Sequence, residues 1–270
     1  METQLLLFLV AIVATAINSV AGGGGLLTFP VLMTVLPPVT ADATSAVALL
    51  PAYMTSTLAG RKHLAPVRNW FWRLLLPSLV GSLLGALLLN WSGNRSITAL
   101  IPWLILIATL LTLRPLVTRT AHSRQSLGVA TPIERTSAPS VSLQIGASLL
   151  LFVVSIYGGY FGAGIGILVI AAVDLIGLTD IHVILPLKNA LCGSLRAVAV
   201  TVFLIEGKVN WEYGLVMAVG ALFGGYMGGS VVHWVNRTVV RISIVALGFG
   251  MAAYYFWRIY GGGIHLIGSD

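Results

Sequence analysis

The sequence predicts an all-α polytopic membrane protein, and three observations lead to this fold class. Of the residues, 57% are hydrophobic and only 9% are charged, a composition that would leave a soluble domain insoluble. Apolar runs of about 20 residues, the length that crosses roughly 30 Å of hydrocarbon, recur along nearly the whole chain. These runs do not alternate polar and apolar residues as the strands of a membrane barrel do. They are therefore expected to be helices.

Basic loops divide the chain into apolar segments in two sets of four. The segments lie near residues 3–37, 42–60, 71–91, 96–113, 141–178, 181–205, 212–234 and 238–257. A long polar stretch between the sets is rich in arginine, serine, threonine and proline, which is typical of a flexible linker. We predict a first transmembrane repeat over residues 1–114, a basic cytoplasmic linker over 115–140 and a second transmembrane repeat over 141–270.

The two halves share short sequence matches that occur in the same order and at nearly constant offsets, which is the pattern of an internal repeat. Chance would produce one such match but not the ordered set. The matches are 67–70 with 209–211, Gly81 and Gly85 with Gly224 and Gly228, and Trp91, Asn94 and Arg95 with Trp234, Asn236 and Arg237. The halves are therefore predicted to be structurally related.

The first and fifth segments are too long for one crossing, since a straight helix of about 35 residues would measure roughly 50 Å. Glycine clusters at 22–25 and 158–166 interrupt them, and each glycine weakens a helix by about 1 kcal/mol relative to alanine. Each segment is expected to form two shorter helices joined by an unwound turn. If the chain continues across the membrane at the turn, the repeats are parallel and both termini are cytoplasmic. If it folds back as a re-entrant hairpin, the repeats are inverted and both termini lie outside.

The positive-inside rule does not decide between these topologies, because both place the loop at 61–73 and the linker in the cytoplasm. We favour inverted repeats, since broken helices at the midplane of inverted repeats are a recurrent plan of transporters.

The two glycine turns are the first candidate for a binding site. Unwound backbone at membrane depth is tolerated only where protein or water satisfies its amides and carbonyls, so the turns are expected to border a cavity. The half-helices that follow, at 26–28 and 167–169, would offer free N–H groups and a positive dipole end to an anion. The alternative is that the glycines only permit close helix packing. The candidate residues are Gly23, Gly24, Gly25, Gly164 and Gly166, with Asn18 and Ser19 expected to complete the hydrogen bonding of the first turn.

Two cations interrupt the sixth segment, in which Lys188 and Asn189 are followed by Arg196. A charge at mid-bilayer costs at least about 2.5 to 3.5 kcal/mol on insertion scales, so such residues face a polar cavity, pair with a partner or snorkel. One interpretation is that they bind a permeating anion. The alternatives are an ion pair with Asp174 and, for Lys188, snorkelling to the interface.

At the matching place in the first half stand Thr44 and Ser45, which we align with Lys188 and Asn189. Hydroxyls facing an amide across a pseudo-twofold axis would suit a small oxyanion, although each hydroxyl can instead bond its own helix backbone. Asp42 is expected to be a helix N-cap.

Other classes of function find little support in the sequence. The net charge of +7 is spread over short loops rather than one patch, so no nucleic-acid partner is expected. One cysteine and five dispersed histidines do not form a nucleophile or metal set, so neither an enzyme nor a cofactor is expected. No glycine run continues as a Walker loop, so transport would be driven by an ion gradient, the membrane potential or the substrate gradient.

The pattern resembles the TauE/SafE family of sulfite and organosulfonate exporters. The resemblance covers both halves. It rests on a glycine turn that leads into 26–30, on 43–45, on the basic loop after the second segment, and on 161–166 before Lys188 and Asn189. Ala171 in place of a counterpart to Pro30 and Ile165 within the second glycine run depart from strict equivalence of the turns. The resemblance implies a multi-pass carrier of the bacterial inner membrane that expels sulfite or a related sulfur oxyanion.

The expected function is secondary transport of a small sulfur-containing anion through the lipid bilayer, by alternating access between two repeats. A proton or another ion is a candidate for coupling, and a homo-oligomer is compatible with the sequence. The alternatives are an integral-membrane enzyme of sulfur metabolism and a non-conducting subunit of a membrane complex.

Overall fold

The computed structural model describes residues 2–20, 22–122, 141–174, 176, 178, 180–231 and 237–260. These residues form α-helices joined by short turns, with no strand among them, which confirms the predicted all-α fold. Four stretches are long and apolar enough to cross a membrane: Glu2–Ser19, Ala65–Ser92, Val141–Tyr160 and His182–Ile205. The helices are α1 (Glu2–Val20), α2 (Gly25–Leu32), α3 (Pro38–Ala59), α4 (Arg68–His122), α5 (Val141–Tyr160), α6 (Ile165–Asp174), α7 (Ile181–Ile205), α8 (Trp211–Val231) and α9 (Arg237–Tyr260).

Helix α4 contains two membrane segments joined by a sharp bend. Its Ser82 packs against Gly159 and its Ala108 against Gly164. A straight helix from 82 to 108 would be about 39 Å long, whereas even an extended chain from 159 to 164 spans at most about 18 Å. The helix must therefore fold back on itself. We call residues 68–92 its first arm and 97–122 its second arm, and they correspond to the predicted third and fourth segments.

The second arm of α4 continues to His122, so helix extends into the first residues of the linker predicted over 115–140. Leu116 and Val117 prolong the apolar sequence past Arg114. The rest of the predicted linker lies outside the described residues.

The first glycine turn reverses the chain. Helices α1 and α3 both run parallel to α8, so the short helix α2 that connects them must run the opposite way. The contacts that fix these directions are Gln4–Glu212 and Ser19–Gly225 for α1, and Thr44–Asn210 and Ser56–Gly225 for α3. Helices α1 and α2 therefore form a helical hairpin with the glycine turn at its tip, and Gly24 packs back against Ala14 of α1.

The second glycine turn does the same. Helices α5 and α7 both run parallel to the first arm of α4, so α6 between them runs back. For α5 the contacts are Arg73–Gln144 and Gly85–Ile156. For α7, Leu195 contacts Ser82, and at the start of the helix the ring of His182 packs against the ring of His63. We call α1–α2 the first hairpin and α5–α6 the second hairpin.

Equivalent helices of the two halves run antiparallel. Tyr53 of α3 contacts Gly193 of α7, and Gly60 at the end of α3 contacts Pro186 near the start of α7. Antiparallel equivalents are what inverted repeats require, and parallel repeats would place them in the same direction.

The matched glycine pairs of the two halves make matched contacts. Gly81 and Gly85 of α4 pack against the α5 backbone at Phe152 and Ile156, and Gly224 and Gly228 of α8 pack against the α1 backbone at Ile12 and Ala16. Glycines spaced four apart let two membrane helices approach to backbone contact. The third segment of each half is thereby packed against the hairpin of the other half.

Candidate functional site

The tips of the two hairpins meet in the interior of the bundle. Gly22 packs against Gly166, and Gly25 packs against Ala163. Gly22 and Gly162 have φ values of 82° and 68°, in the left-handed region that favours glycine. All the described tip residues are buried. In this conformation the turns touch each other, which is the close packing that the alternative interpretation of the glycines expects.

The amides expected to be free at the start of α2 are in fact bonded within the turn. Leu26 N–H donates to Gly23 O at 3.0 Å, and the N–H groups of Leu27 and Thr28 donate to Gly24 O at 3.0 and 3.1 Å. At the start of α6, Ile167 N–H donates to Gly164 O at 3.1 Å. A tight turn satisfies these donors locally, which the prediction of free amides did not consider.

Asn18 and Ser19, the polar pair before the first turn, have different roles. The Asn18 side chain accepts a hydrogen bond from Gly24 N–H at 3.3 Å, as expected for a residue that completes the turn. Ser19 does not contact the turn amides. Its hydroxyl donates to Thr15 O at 2.9 Å and lies 2.6 Å from the Ser56 hydroxyl, so it joins α1 to α3.

Lys188 is fully buried and binds the first hairpin. Its Nζ donates to Asn18 O at 2.8 Å, in the last turn of α1. The last carbonyls of a helix carry the negative end of its dipole, so a cation is favoured there. Snorkelling of Lys188 to the interface is therefore wrong. The side chain of Asp174, the other suggested partner, lies outside what the structure describes.

Arg196 binds the second hairpin in the corresponding way. Its Nη1 donates to Gly158 O at 2.8 Å in the last turns of α5, and its guanidinium lies against Gly162 of the tip. Its Nη2 lies 3.8 Å from Asp42 Oδ1. Both side chains of this ion pair are buried. Arg196 therefore joins α7 to the second hairpin and to α3.

Asp42 is not a helix N-cap. Helix α3 begins at Pro38, with Pro37 in the N-cap position, so Asp42 lies inside the helix. Proline fixes φ near the helical value, and it has no N–H group, which in the first turn of a helix would have no partner within the helix. Pro38 therefore suits the start of α3 and explains why the helix begins before Asp42. An acidic residue in a membrane helix indicates function or pairing, and this signal for Asp42 was missed in favour of the cap.

The hydroxyls of Thr44 and Ser45 point to different partners. Thr44 Oγ1 accepts a hydrogen bond from Asn210 N–H at 3.0 Å, before α8. Ser45 Oγ lies 2.7 Å from Thr28 Oγ1 of α2. Asn189 is buried, and its Oδ1 has no partner among the described residues.

The expected alignment of Thr44 with Lys188 is shifted by one position. Leu195 of α7 contacts Ser82, and Ala52 of α3 makes the matching contact with Gly225. Counted from these two residues, the counterpart of Lys188 is Ser45.

Polar groups that the sequence did not single out also lie on α5, the first helix of the second hairpin. The Tyr157 hydroxyl donates to Ala163 O at 2.8 Å, and Ser155 Oγ is buried without a partner among the described residues. A groove of about 590 Å³ between α4 and α5, lined by Trp70 and Arg73 among others, includes neither cation nor any tip residue. The buried cations Lys188 and Arg196 and the polar groups around them therefore lie where α7 meets both hairpin tips.

Residues 7–255, which contain both hairpin tips and both buried cations, match the family model described as Sulfite exporter TauE/SafE. The chain belongs to the TauE/SafE family. This confirms the resemblance that the glycine turns and the Lys188–Asn189 pair indicated. No solved structure matches the chain at a significant level.

Bacterial relatives match the TauE/SafE chain over nearly its full length. A Haemophilus influenzae protein named "Probable membrane transporter protein" is 30% identical over 255 residues, 92% of each chain. "Probable membrane transporter protein YfcA" of Escherichia coli K12 is 28% identical over 273 residues, 98% of this chain and 94% of the relative. "Probable membrane transporter protein YunE" of Bacillus subtilis is 25% identical over 264 residues, 90% and 93% of the two chains. The TauE/SafE chain is thus a membrane protein of a transporter family.

Proposed function

We propose that the protein is a secondary transporter that exports a small sulfur-containing anion, sulfite or an organosulfonate, across the bacterial inner membrane. The observation that carries the proposal is an excess of buried positive charge at the hairpin tips. Among the described residues, the buried charged side chains are Lys188, Arg196 and Asp42, two cations and one anion. A desolvated charge without a counter-ion is costly. A bound anion would supply the missing negative charge.

The chemistry of the two cations suits an oxyanion with several acceptor oxygens. Arg196 presents planar N–H donors that can pair with two oxygens at once, and Lys188 presents a point charge with three donors. Asn189 and Ser45 are the proposed further hydrogen-bonding groups, because Asn189 adjoins Lys188 and Ser45 is its counterpart on α3. Thr44 is the weaker candidate, since it already accepts the Asn210 amide.

Movement of the hairpins would open the site. With the tips in contact and the cations bound to Asn18 O and Gly158 O, the structure is closed at its centre. An anion can reach the cations only if the tips separate, first toward one face of the membrane and then toward the other. Such rocking of two inverted halves about a central site is the general plan of alternating access.

Flux measurements on reconstituted protein test the proposal. Uptake into proteoliposomes is compared for sulfite, sulfate, sulfoacetate and chloride, with the wild type, Lys188→Ala and Arg196→Ala. We expect sulfite or sulfoacetate flux above that of empty liposomes. Each substitution is expected to lower it at least about tenfold, since a lost charge-assisted contact is worth about 1.5 to 3 kcal/mol.

Two exposed cations provide matched controls, Lys62→Ala for Lys188→Ala and Arg68→Ala for Arg196→Ala. Both controls should transport at the wild-type rate. Wild-type flux that Lys188→Ala and Arg196→Ala leave unchanged would refute the proposed roles of these residues. Flux that appears only when a partner protein is added would favour a non-conducting subunit, and sulfur-compound conversion in detergent would favour an enzyme.

A further inference from the structure

Asp42 is a buried carboxylate that pairs with a cation through one oxygen only. Its side chain is buried in α3, and Oδ1 lies 3.8 Å from Arg196 Nη2. This distance is longer than a hydrogen bond, so the contact is an ion pair without one. Oδ2 has no partner among the described residues. An ionised carboxylate in such surroundings depends on the charge of Arg196.

The ionisable groups around Asp42 come from helices packed against α3 and from α5. From α7 comes Arg196, and from α5 the Tyr157 hydroxyl lies within electrostatic range. Helix α8 also packs against α3 and carries Glu212, which is exposed and bonded to Gln4. Within the described chain, Arg196 is therefore the cation that balances the charge of Asp42.

A substrate anion and Asp42 would compete for the same guanidinium. Nη1 of Arg196 is held by Gly158 O, which leaves the Nη2 side, now facing Asp42, to receive an anion. An anion bound there takes away the counter-ion of Asp42. A buried carboxylate that loses its counter-ion is stabilised by taking up a proton.

We propose that Asp42 is a proton-binding site linked to anion binding at Arg196, so that the anion and one proton cross the membrane together and export is driven by the outward gradient of the anion. The proposal rests on the proposed function, since it takes Arg196 as part of the anion site. When the anion binds, its oxygen replaces Asp42 Oδ1 beside Nη2, and a proton from water bonds to the Asp42 carboxylate. When the anion leaves, the proton returns to water and the ion pair re-forms.

The linkage fixes the sign of the pH dependence. Protonation of Asp42 frees Arg196 for the anion, so lowering the pH strengthens anion binding and raising it weakens binding. By reciprocity, anion binding raises the proton affinity of Asp42 by the same factor. With one linked proton, the apparent dissociation constant rises by up to about tenfold per pH unit.

Proton uptake measured together with anion binding tests the linkage. Purified protein in weakly buffered detergent solution is titrated with sulfite, and in parallel with sulfate, while an indicator dye reports pH. The wild type is expected to take up about one proton more per bound anion than Asp42→Asn. The asparagine resembles the protonated carboxyl in shape and charge, and the difference between the two proteins removes the buffering by sulfite itself.

Further variants keep the test decisive. Glu212→Gln, which removes an exposed acid of α8, should behave as the wild type. Arg196→Gln should lose the proton uptake, because Asp42 without its counter-ion is already protonated. Asp42→Glu keeps a proton-binding carboxyl and should retain the uptake if Asp42→Asn does not fold.

Transport supplies an independent measurement. An acidic exterior should accelerate sulfite or sulfate uptake into wild-type proteoliposomes, and Asp42→Asn flux should not respond to the pH gradient. Equal proton uptake and equal pH dependence in the wild type and Asp42→Asn would overturn the linkage and leave the proposed function standing. Failure of the wild type to bind or carry either anion would overturn both.

Discussion

At the scale of single residues, the carbonyl oxygens of Asn18 and Gly158 explain how two cations can lie inside the bilayer. Each belongs to the last turns of a hairpin helix, where the helix dipole is negative, and Asn18 O also accepts a hydrogen bond from Gly22 N–H at 3.1 Å. Lys188 and Arg196 satisfy these carbonyls at 2.8 Å each. The same contacts hold the tips in place, so the cations have a structural role besides the proposed binding of an anion.

Gly162 is predicted to be a tip glycine that does not tolerate a larger side chain. An alanine there would adopt a φ of 68°, which costs about 1 to 2 kcal/mol, and its Cβ would also collide with the Arg196 guanidinium. Thermal unfolding of purified protein should show Gly162→Ala to be strongly destabilised. Anion flux should also fall, because Arg196 must move.

Alanine substitutions at two other glycines distinguish the cost of backbone strain from the cost of a steric clash. Gly207 has a φ of 64° but open space around it, so Gly207→Ala should lose only the strain energy. Gly146 lies in α5 with nothing nearby, so Gly146→Ala should be neutral or stabilising. Equal stability of Gly162→Ala and Gly207→Ala would show that the contact with Arg196 does not matter.

The sequence reveals the cations of this site but not their partners. Lys188 and Arg196 are visible as charges in an apolar run, and Asn18 as a polar residue before a glycine turn. The bond from Lys188 to Asn18 O links residues 170 positions apart, and its existence depends on the helix register that packing sets. The N-cap role predicted for Asp42 was wrong because α3 begins at Pro38, one full turn earlier in the chain than Asp42.

At the scale of elements, contacts connect the two hairpins and α7 to one another. Helix α7 binds the first hairpin through Lys188 and the second through Arg196, and the tips bind each other through Gly22 and Gly166. A displacement of one tip therefore changes a contact of α7 as well. Any opening of the site must break at least one of these contacts.

A disulfide between the tips should arrest transport. A Cβ on Gly25 would lie 3.4 Å from Ala163 Cβ, close to the usual separation in a disulfide of about 3.5 to 4.5 Å. In a Cys192→Ala background, oxidised Gly25→Cys/Ala163→Cys protein should lose most of its flux, and a reductant should restore it. The two single-cysteine variants are the controls. Full flux in the cross-linked protein would show that the tips do not separate during transport.

Composition identified where the elements break but not how they turn. The glycine clusters predict the interruptions at both tips, since glycine is costly within a helix. Whether the chain continues or folds back depends on the packing of α1 and α3 against α8, which is set by contacts between distant residues. The bend in α4 was likewise not predictable from composition, because the backbone remains helical through residues 93–96.

At the scale of the whole molecule, the directions of the helices place the start of α1 and the loop between α3 and α4 on two opposite faces. The start of α1 lies beside the start of α8, on the face opposite to the loop between α3 and α4. The loop at 61–68 carries Arg61, Lys62 and Arg68, so the positive-inside rule places it in the cytoplasm. The N-terminus is then predicted to lie outside.

Cysteine labelling in intact cells tests this topology. In a Cys192→Ala background, Glu2→Cys and Lys208→Cys should react with a membrane-impermeant maleimide in intact cells. Lys62→Cys should react only after permeabilisation. Reaction of Glu2→Cys and Lys62→Cys on the same face would contradict the inverted arrangement.

The different side chains that α7 and α3 present at matched positions have an energetic consequence. In a transporter with two identical halves, the inward-open and outward-open states would mirror each other and have equal energy. Here the counterparts of Lys188 and Arg196 on α3 are Ser45 and Tyr53, counted from the matched contacts of Leu195 and Ala52. Both positive charges therefore lie on α7 of the second half, and α3 of the first half carries no charge at the matched positions. Under the proposed alternating access, symmetry therefore does not force equal energies on the two states, and the difference between α7 and α3 would favour one of them in the empty protein.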